Sequence, residues 1–180
     1  GYIRPYKGLD VLLDAFVKFA PSRPDVSLLI VGESFYKSRN QGGVEKPLDR
    51  LPLPEAISSR VVWINRYVED HEVGRFFAAA DVLVAPYLDV SQSGPLQIAY
   101  AFGKPVIASD LPAFVEAVSP GESGFLFRAG DANDLARVLA HFYASALDVG
   151  SVLRFRRRFS WEAYVNKLLA GSVHNEAASV

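Results

Sequence analysis

The sequence predicts an α/β domain: a doubly wound, mainly parallel sheet with helices on both faces. Short β-rich runs recur along the chain at Val26-Ser-Leu-Leu-Ile-Val-Gly32, Val61-Val-Trp-Ile64, Asp81-Val-Leu-Val-Ala-Pro86, Pro105-Val-Ile-Ala108 and Gly124-Phe-Leu-Phe127. Between them lie segments whose apolar residues fall at helical spacing, so strands alternate with helices and βαβ units follow. The run closed by Gly32 is continuously apolar, as a strand buried on both faces requires.

In chain order, Gly1 to Ile3 reads as the tail of a strand and Arg4-Pro5-Tyr6-Lys7-Gly8 as a turn. Leu9, Leu12, Leu13, Phe16 and Ala20 then share a helical face opposite Asp10, Asp14 and Lys18, and Pro21 to Pro24 ends that helix. Glu33 to Pro54 is polar and less regular, with one short helix expected around Val44 to Leu51. After Val61 to Ile64 comes the loop Asn65 to Asp70, whose last residue is expected to cap a helix turning Val73, Phe76, Phe77 and Ala80 inward. A polar loop from Tyr87 leads into a helix beginning near Ser93, and Gly103-Lys104-Pro105 enters the next strand. Glu116 and Val118 belong to a short helical piece, and Asp131-Ala-Asn-Asp134 starts a helix bearing Leu135, Val138, Leu139 and Phe142. Ser160 caps a last helix from Trp161 to Leu169. These elements make one domain over residues 1–171, with 172–180 as a frayed tail.

Composition narrows the functions. A chain of 180 residues that is 50% hydrophobic and 12% aromatic holds a sizeable single core. A net charge of -1 argues against a general nucleic-acid binder, which needs a basic surface. The absence of cysteine removes disulfides, thiolate metal sites and thiol nucleophiles together. No apolar run approaches the roughly 18 residues of a membrane span, and no signal peptide is visible. A cytoplasmic location is expected. A chain opening at Gly1 inside an ordered pattern reads as a piece of a longer protein.

Parallel sheets bind ligands outside the carboxyl ends of their strands. The loops expected to converge there are Tyr2 to Gly8, Gly32 to Phe35, Asn65 to Glu69 and Leu88 to Gly94. The stretch from Tyr87 to Asp110 is central, because a polar turn feeding a helix offers free backbone N–H groups and a positive dipole end. Phosphates bind at such places.

Several blocks occur in order: Gly1-Tyr-Ile-Arg-Pro-Tyr-Lys-Gly-Leu-Asp-Val-Leu-Leu-Asp-Ala-Phe16, Leu-Leu-Ile-Val-Gly32 and Ala80-Asp-Val-Leu-Val-Ala-Pro86. Ala101-Phe-Gly-Lys-Pro-Val-Ile-Ala-Ser109 and Gly121-Glu-Ser-Gly-Phe-Leu126 follow. Together they resemble the C-terminal domain of family 4 retaining glycosyltransferases. The resemblance implies a Rossmann-like half of a GT-B fold that binds a nucleotide sugar, with an N-terminal acceptor domain absent from this chain. It implies transfer of a hexose to a saccharide or lipid-linked acceptor, as in polysaccharide biosynthesis, and no cofactor beyond the nucleotide sugar itself.

By that resemblance Lys7 matches the family's basic residue before Gly8, where it stabilises the departing diphosphate. Tyr2 occupies the family's Arg position, so Arg4 is a displaced substitute. Ser91, Gln92, Ser93 and Gly94, with Leu96, form the second phosphate-facing element, although Pro95 removes one N–H. Most members carry paired glutamates on this loop and helix. Counted back from Gly103-Lys104-Pro105, those slots hold Val90 and Ile98, with Asp89 and Gln92 beside the first and Gln97 beside the second. The Gln-Ser-Gly loop resembles a subgroup without the pair. The nucleobase is expected against Arg66, Tyr67 and Val68, largely through backbone groups, with Gly32 and Glu33 along the same cleft. Tyr67 either stacks on the base or packs between helices. Uridine, guanosine and adenosine donors all remain open.

Two further readings run beside this one. A degenerate domain kept for protein contacts would account for the missing acids; GT-B epimerases of nucleotide sugars would need an acid and histidine set not recognisable here. His71, His141 and His174 are scattered and no Asp-x-Asp motif occurs, so no metal is expected. Arg154, Arg156, Arg157 and Arg158, interleaved with Phe155 and Phe159, read as a solvated linker between helices in preference to a peripheral membrane contact.

Overall fold

The computed structural model describes residues 2–34, 53–145, 147 and 149–157. The helices expected at Val44 to Leu51 and Trp161 to Leu169, with Ser160, Arg158, Phe159 and the tail from Ser172, lie outside the described residues. Five strands are described: β1 (Leu28–Val31), β2 (Val61–Ile64), β3 (Leu83–Ala85), β4 (Val106–Ser109) and β5 (Gly124–Phe127). All their pairings are parallel, with β1 on β2 in one ladder and β3, β4 and β5 in another.

Residues 3–8 join the two ladders. Ile3 bridges Ser34 in parallel and its N–H donates to the Glu33 carbonyl at 2.8 Å, alongside the exit of β1. On the other side Leu88 N–H, just past β3, donates to the Tyr6 carbonyl at 2.7 Å. From this line the chain builds outward in two directions, to β2 one way and to β4 and β5 the other. That makes the turn after Ile3 a topological switch point.

The helices α1 (Leu9–Phe19) and α6 (Ala132–Ala144) cover one face. Leu12, Ala15, Phe16 and Phe19 of α1 meet Leu135, Val138 and Leu139 of α6 over Ile107 and Phe127. The helices α4 (Gly94–Ala101), α5 (Pro112–Ala117) and α7 (Val149–Arg156) cover the other, over Ala85, Val106 and Ala108. Successive residues of β4 thus feed opposite layers, and all four are buried. Between β5 and β4 the approach is so close that a Cβ on Gly124 would stand 1.8 Å from the Val106 carbonyl oxygen.

The ends of the helices show which local signals held. The Asp131 side chain accepts from the N–H groups of Asn133 and Asp134, capping α6 as its sequence predicts. Asp70 does not cap α3 (Asp70–Ala79): it is the first helical residue, Glu69 takes the cap position, and no side-chain cap bond forms. Asp70 instead adds its charge to the favourable first turn. None of α3 is fully buried, and Phe77 stacks on Phe102 with ring centroids 5.8 Å apart. The carbonyls that follow α1 are satisfied by Arg60, which lies beyond the short α2 (Glu55–Ser58) and donates to Ala20, Arg23 and Val26.

Two expectations need correction. Leu29 and Val62, partners across β1 and β2, are both exposed, so β1 is buried on one face rather than two. The arginine cluster is not a linker: Arg154 and Arg156 lie in α7, whose Val152 and Phe155 enter the core. Phe155 stands edge-on to Tyr100 at 5.5 Å. Burying those two side chains contributes about 1.5–3 kcal/mol each. That outweighs helix-propensity differences of under about 1 kcal/mol per residue.

Candidate functional site

Four loops meet at the carboxyl ends of the strands, and hydrogen bonds or ring contacts connect each to its neighbour. The Ile3 bond to Glu33 ties the first loop to the second. Ser34 N–H donates to Asn65 Oδ1 at 2.9 Å, tying the second to the third. Leu88 N–H to Tyr6 O ties the fourth back to the first. The rings of Tyr2 and Tyr67 lie 6.5 Å apart, closing the line between the first and third.

The first loop is a single 3-10 turn over Pro5–Lys7, ended by Gly8 in the left-handed conformation at φ 62°. Only glycine suits that position, because a Cβ there would also stand 1.9 Å from the Pro86 carbonyl oxygen. The close approach sets Lys7 directly beside the exit of β3. Lys7 has no carboxylate partner among the described residues, and its Nζ lies 5.9 Å from the centre of the Tyr87 ring. Burial, and then the charge of Arg4, push its pKa below the ordinary lysine value. A cation held where its charge is penalised gains from an arriving anion.

The fourth loop ends at Ser93, the N-cap residue of α4. Its hydroxyl makes no cap bond; Oγ is buried, has no aligned hydrogen-bond partner, and lies near enough the Tyr87 phenol to oppose the rise that burial causes in the Tyr87 pKa. Asp89, Ser91, Gln92, Gly94 and Gln97 are exposed. Leu96 is 2% exposed, so its side chain is core, and only its backbone is available to a ligand. The first turn of α4 supplies N–H groups without helical partners, save at Pro95, which has none.

Val90 packs against the core beneath α4. An acid in that slot would be desolvated, and its pKa would rise.

In the third loop, Arg66 is committed to structure. Its guanidinium meets both Glu72 oxygens at 2.7 Å and also donates to the Tyr67 carbonyl. This pairing holds the Glu72 carboxyl at about 2. Val68 is buried, leaving its backbone as the accessible part, and Glu33 is exposed beside buried Gly32. Tyr67 is half-exposed, and its ring lies 6.5 Å from that of Tyr2. Sequence reasoning missed Tyr87, Tyr6 and Asn65 as organisers of the site. An aromatic directly after a strand-ending proline, and an Asn directly after a strand, were the available signals.

A sequence profile of the family described as Glycosyl transferases group 1 matches residues 1–145. The chain belongs to the group 1 glycosyltransferases. Among its relatives in this family, the phosphatidyl-myo-inositol mannosyltransferase of Mycobacterium leprae is 32% identical over 179 residues, covering 93% of this chain and 43% of the relative. The D-inositol 3-phosphate glycosyltransferase of Streptosporangium roseum is 31% identical over 185 residues, covering 97% and 42%. The chain thus spans less than half the length of these relatives.

Solved structures share the fold. HepE of Anabaena, crystallised with UDP, superposes with a TM-score of 0.72 at 19% identity, over 97% of this chain and 47% of that one. The C-terminal domain of a group 1 glycosyltransferase from Francisella tularensis superposes at 0.64 and 19% identity, over 87% of this chain and 77% of that one. The architecture is that of a GT-B glycosyltransferase half. Among the described residues no helix is long and apolar enough to cross a membrane, and no three His, Cys, Asp or Glu residues form a metal-binding group.

Proposed function

We propose that this group 1 glycosyltransferase domain binds a nucleoside diphosphate sugar for retaining transfer of a hexose to a saccharide or lipid-linked acceptor. The observation that carries this reading is the placement of Lys7, a half-buried cation without a carboxylate partner among the described residues, at the switch point where four loops converge. Its ammonium and the start of α4 face the departing diphosphate, with Arg4 adding charge. The nucleobase lies along Arg66 to Val68 through backbone groups, with Tyr67 open beside it, and Gly32 and Glu33 along the same cleft. The names of the relatives and the UDP bound to HepE support a nucleotide sugar as the donor class.

The acceptor belongs to a second domain outside this chain, so the isolated chain binds donor and does not turn it over. Charge on the leaving group is met by Lys7 and Arg4 without a metal ion, and chelator is expected to leave nucleotide affinity unchanged. A cytoplasmic placement goes with this reading, any membrane contact being peripheral.

Calorimetric titration with UDP, GDP and ADP tests it: at least one is expected to bind. Binding of none by a folded chain favours the second reading, a degenerate domain retained for protein contacts. The inward course of Val90 and the apolar Ile98 are the observations behind that alternative.

A further inference from the structure

Tyr87 is held from several sides at the exit of β3. The ring is buried at 8% exposure, with Tyr6 edge-on at 5.9 Å and 89°, and Phe114 at 5.5 Å. Its carbonyl accepts from Ser109 Oγ at 2.7 Å, fixing the backbone against the end of β4. The next residue, Leu88, donates to Tyr6, which ties the 3-10 turn to the residue after Tyr87. The face of this immobilised ring is what Lys7 Nζ lies over at 5.9 Å. Its phenol lies near Ser93, the N-cap residue of α4, whose buried Oγ makes no hydrogen bond.

We propose that Tyr87 is a positioning residue that holds the Lys7 ammonium beside the start of α4, so that the two elements act on one anion. A ring face attracts a cation by about 0.5–2 kcal/mol, enough to select one lysine rotamer among several. Free of this contact, a four-carbon side chain with a strongly hydrated head would extend into water. Burial raises the Tyr87 pKa, which keeps the phenol neutral and the ring a pure quadrupole partner. That the shared ligand is a diphosphate rests on the function proposed above; the placement of Lys7 does not.

The test has one arm without ligand and one with it. In lysine-labelled protein, the Lys7 Hε resonance is identified by its loss in Lys7→Met. It is expected to be ring-shifted and to show an Overhauser contact to the Tyr87 ring protons. The shift should persist in Tyr87→Phe, which keeps the ring, and vanish in Tyr87→Leu. Calorimetry with UDP and with pyrophosphate should show Tyr87→Leu weakened about tenfold, the loss of one charge-assisted contact, and Tyr87→Phe within about threefold of wild type. In the Lys7→Met background, Tyr87→Leu should add less than about twofold, because it acts through Lys7.

An unshifted Lys7 in the wild type, or losses from Lys7→Met and Tyr87→Leu that multiply, would overturn the proposal. The wild-type resonance decides it even where Tyr87→Leu does not fold. Binding of none of UDP, GDP, ADP and pyrophosphate by the wild type would sink the donor-binding reading, while the Lys7 resonance still judges Tyr87.

Discussion

The two walls of the site are built on opposite principles. The turn from Arg4 to Gly8 brings charge on side chains and is pinned by backbone, through the Gly8 approach to Pro86 and the Leu88 bond to Tyr6. The start of α4 brings no charged side chain; it offers backbone N–H groups, and its cap residue makes no cap bond. One wall is charged, the other polar and uncharged. Affinity for a diphosphate should therefore be more sensitive to the first wall than to the second.

The largest effect is expected from Gly8→Ala. A non-glycine residue at φ 62° with its Cβ 1.9 Å from a carbonyl oxygen combines left-handed strain with overpacking, a loss of about 3 kcal/mol or more in thermal or urea unfolding. Unchanged stability would mean that the turn does not sit against Pro86. Lys7→Met comes next: the fold should persist and nucleoside diphosphate affinity fall about thirtyfold, close to 2 kcal/mol. An equal loss from Gln92→Ala would erase the contrast between the walls.

The same wall has a pH signature. Burial and Arg4 lower the Lys7 pKa, so affinity should decline as pH rises through a value below the ordinary 10.5 of lysine, when the ammonium loses its proton. In Lys7→Met that alkaline decline should be absent. The third loop gives a sign at the acid end, through Glu72. Its folded pKa of about 2 lies below the ordinary 4.5, because Arg66 favours the charged form. The stabilisation is present above pH 4.5 and lost as pH falls toward 2. Glu72→Gln should flatten the melting temperature over that window, and equal acid sensitivity in both proteins would count against the pairing.

Ser93→Ala should change least. Removing an N-cap hydroxyl ordinarily costs about 1 kcal/mol. Here no cap bond is lost, and a change within about 0.5 kcal/mol is expected in chemical denaturation. A full 1 kcal/mol loss would show that the helix start is held by its cap after all.

Much of this site was legible in the chain. Strand runs such as Val61 to Ile64 and Gly124 to Phe127 match their observed spans, and Asp131 caps where its spacing says it should. These signals are local: an apolar run, or a short polar side chain before a periodic segment, carries its own cause. The loops that converge could be named because parallel sheets always present the same ends of their strands on one side. Asp70 failed as a cap because the helix begins one residue earlier than expected, with Glu69 at the cap position, a distinction that local propensity does not resolve. The docked helix α7 escaped notice because two apolar residues among arginines make too short a periodic pattern, while α4 supplied the surface that Val152 and Phe155 needed.

By itself the sequence determined the alternation of strands and helices, the family, the glycine that the turn before α1 requires, and the presence of one lysine there. Only the tertiary structure decided that Lys7 lies over Tyr87, that Val90 turns inward, that Arg66 is spent on Glu72, and that Tyr67 stands open beside Tyr2. Each of these depends on residues far apart in the chain, or on the direction a side chain takes once its backbone is packed. Such partners are chosen by close packing across layers, which no short-range pattern in the sequence specifies.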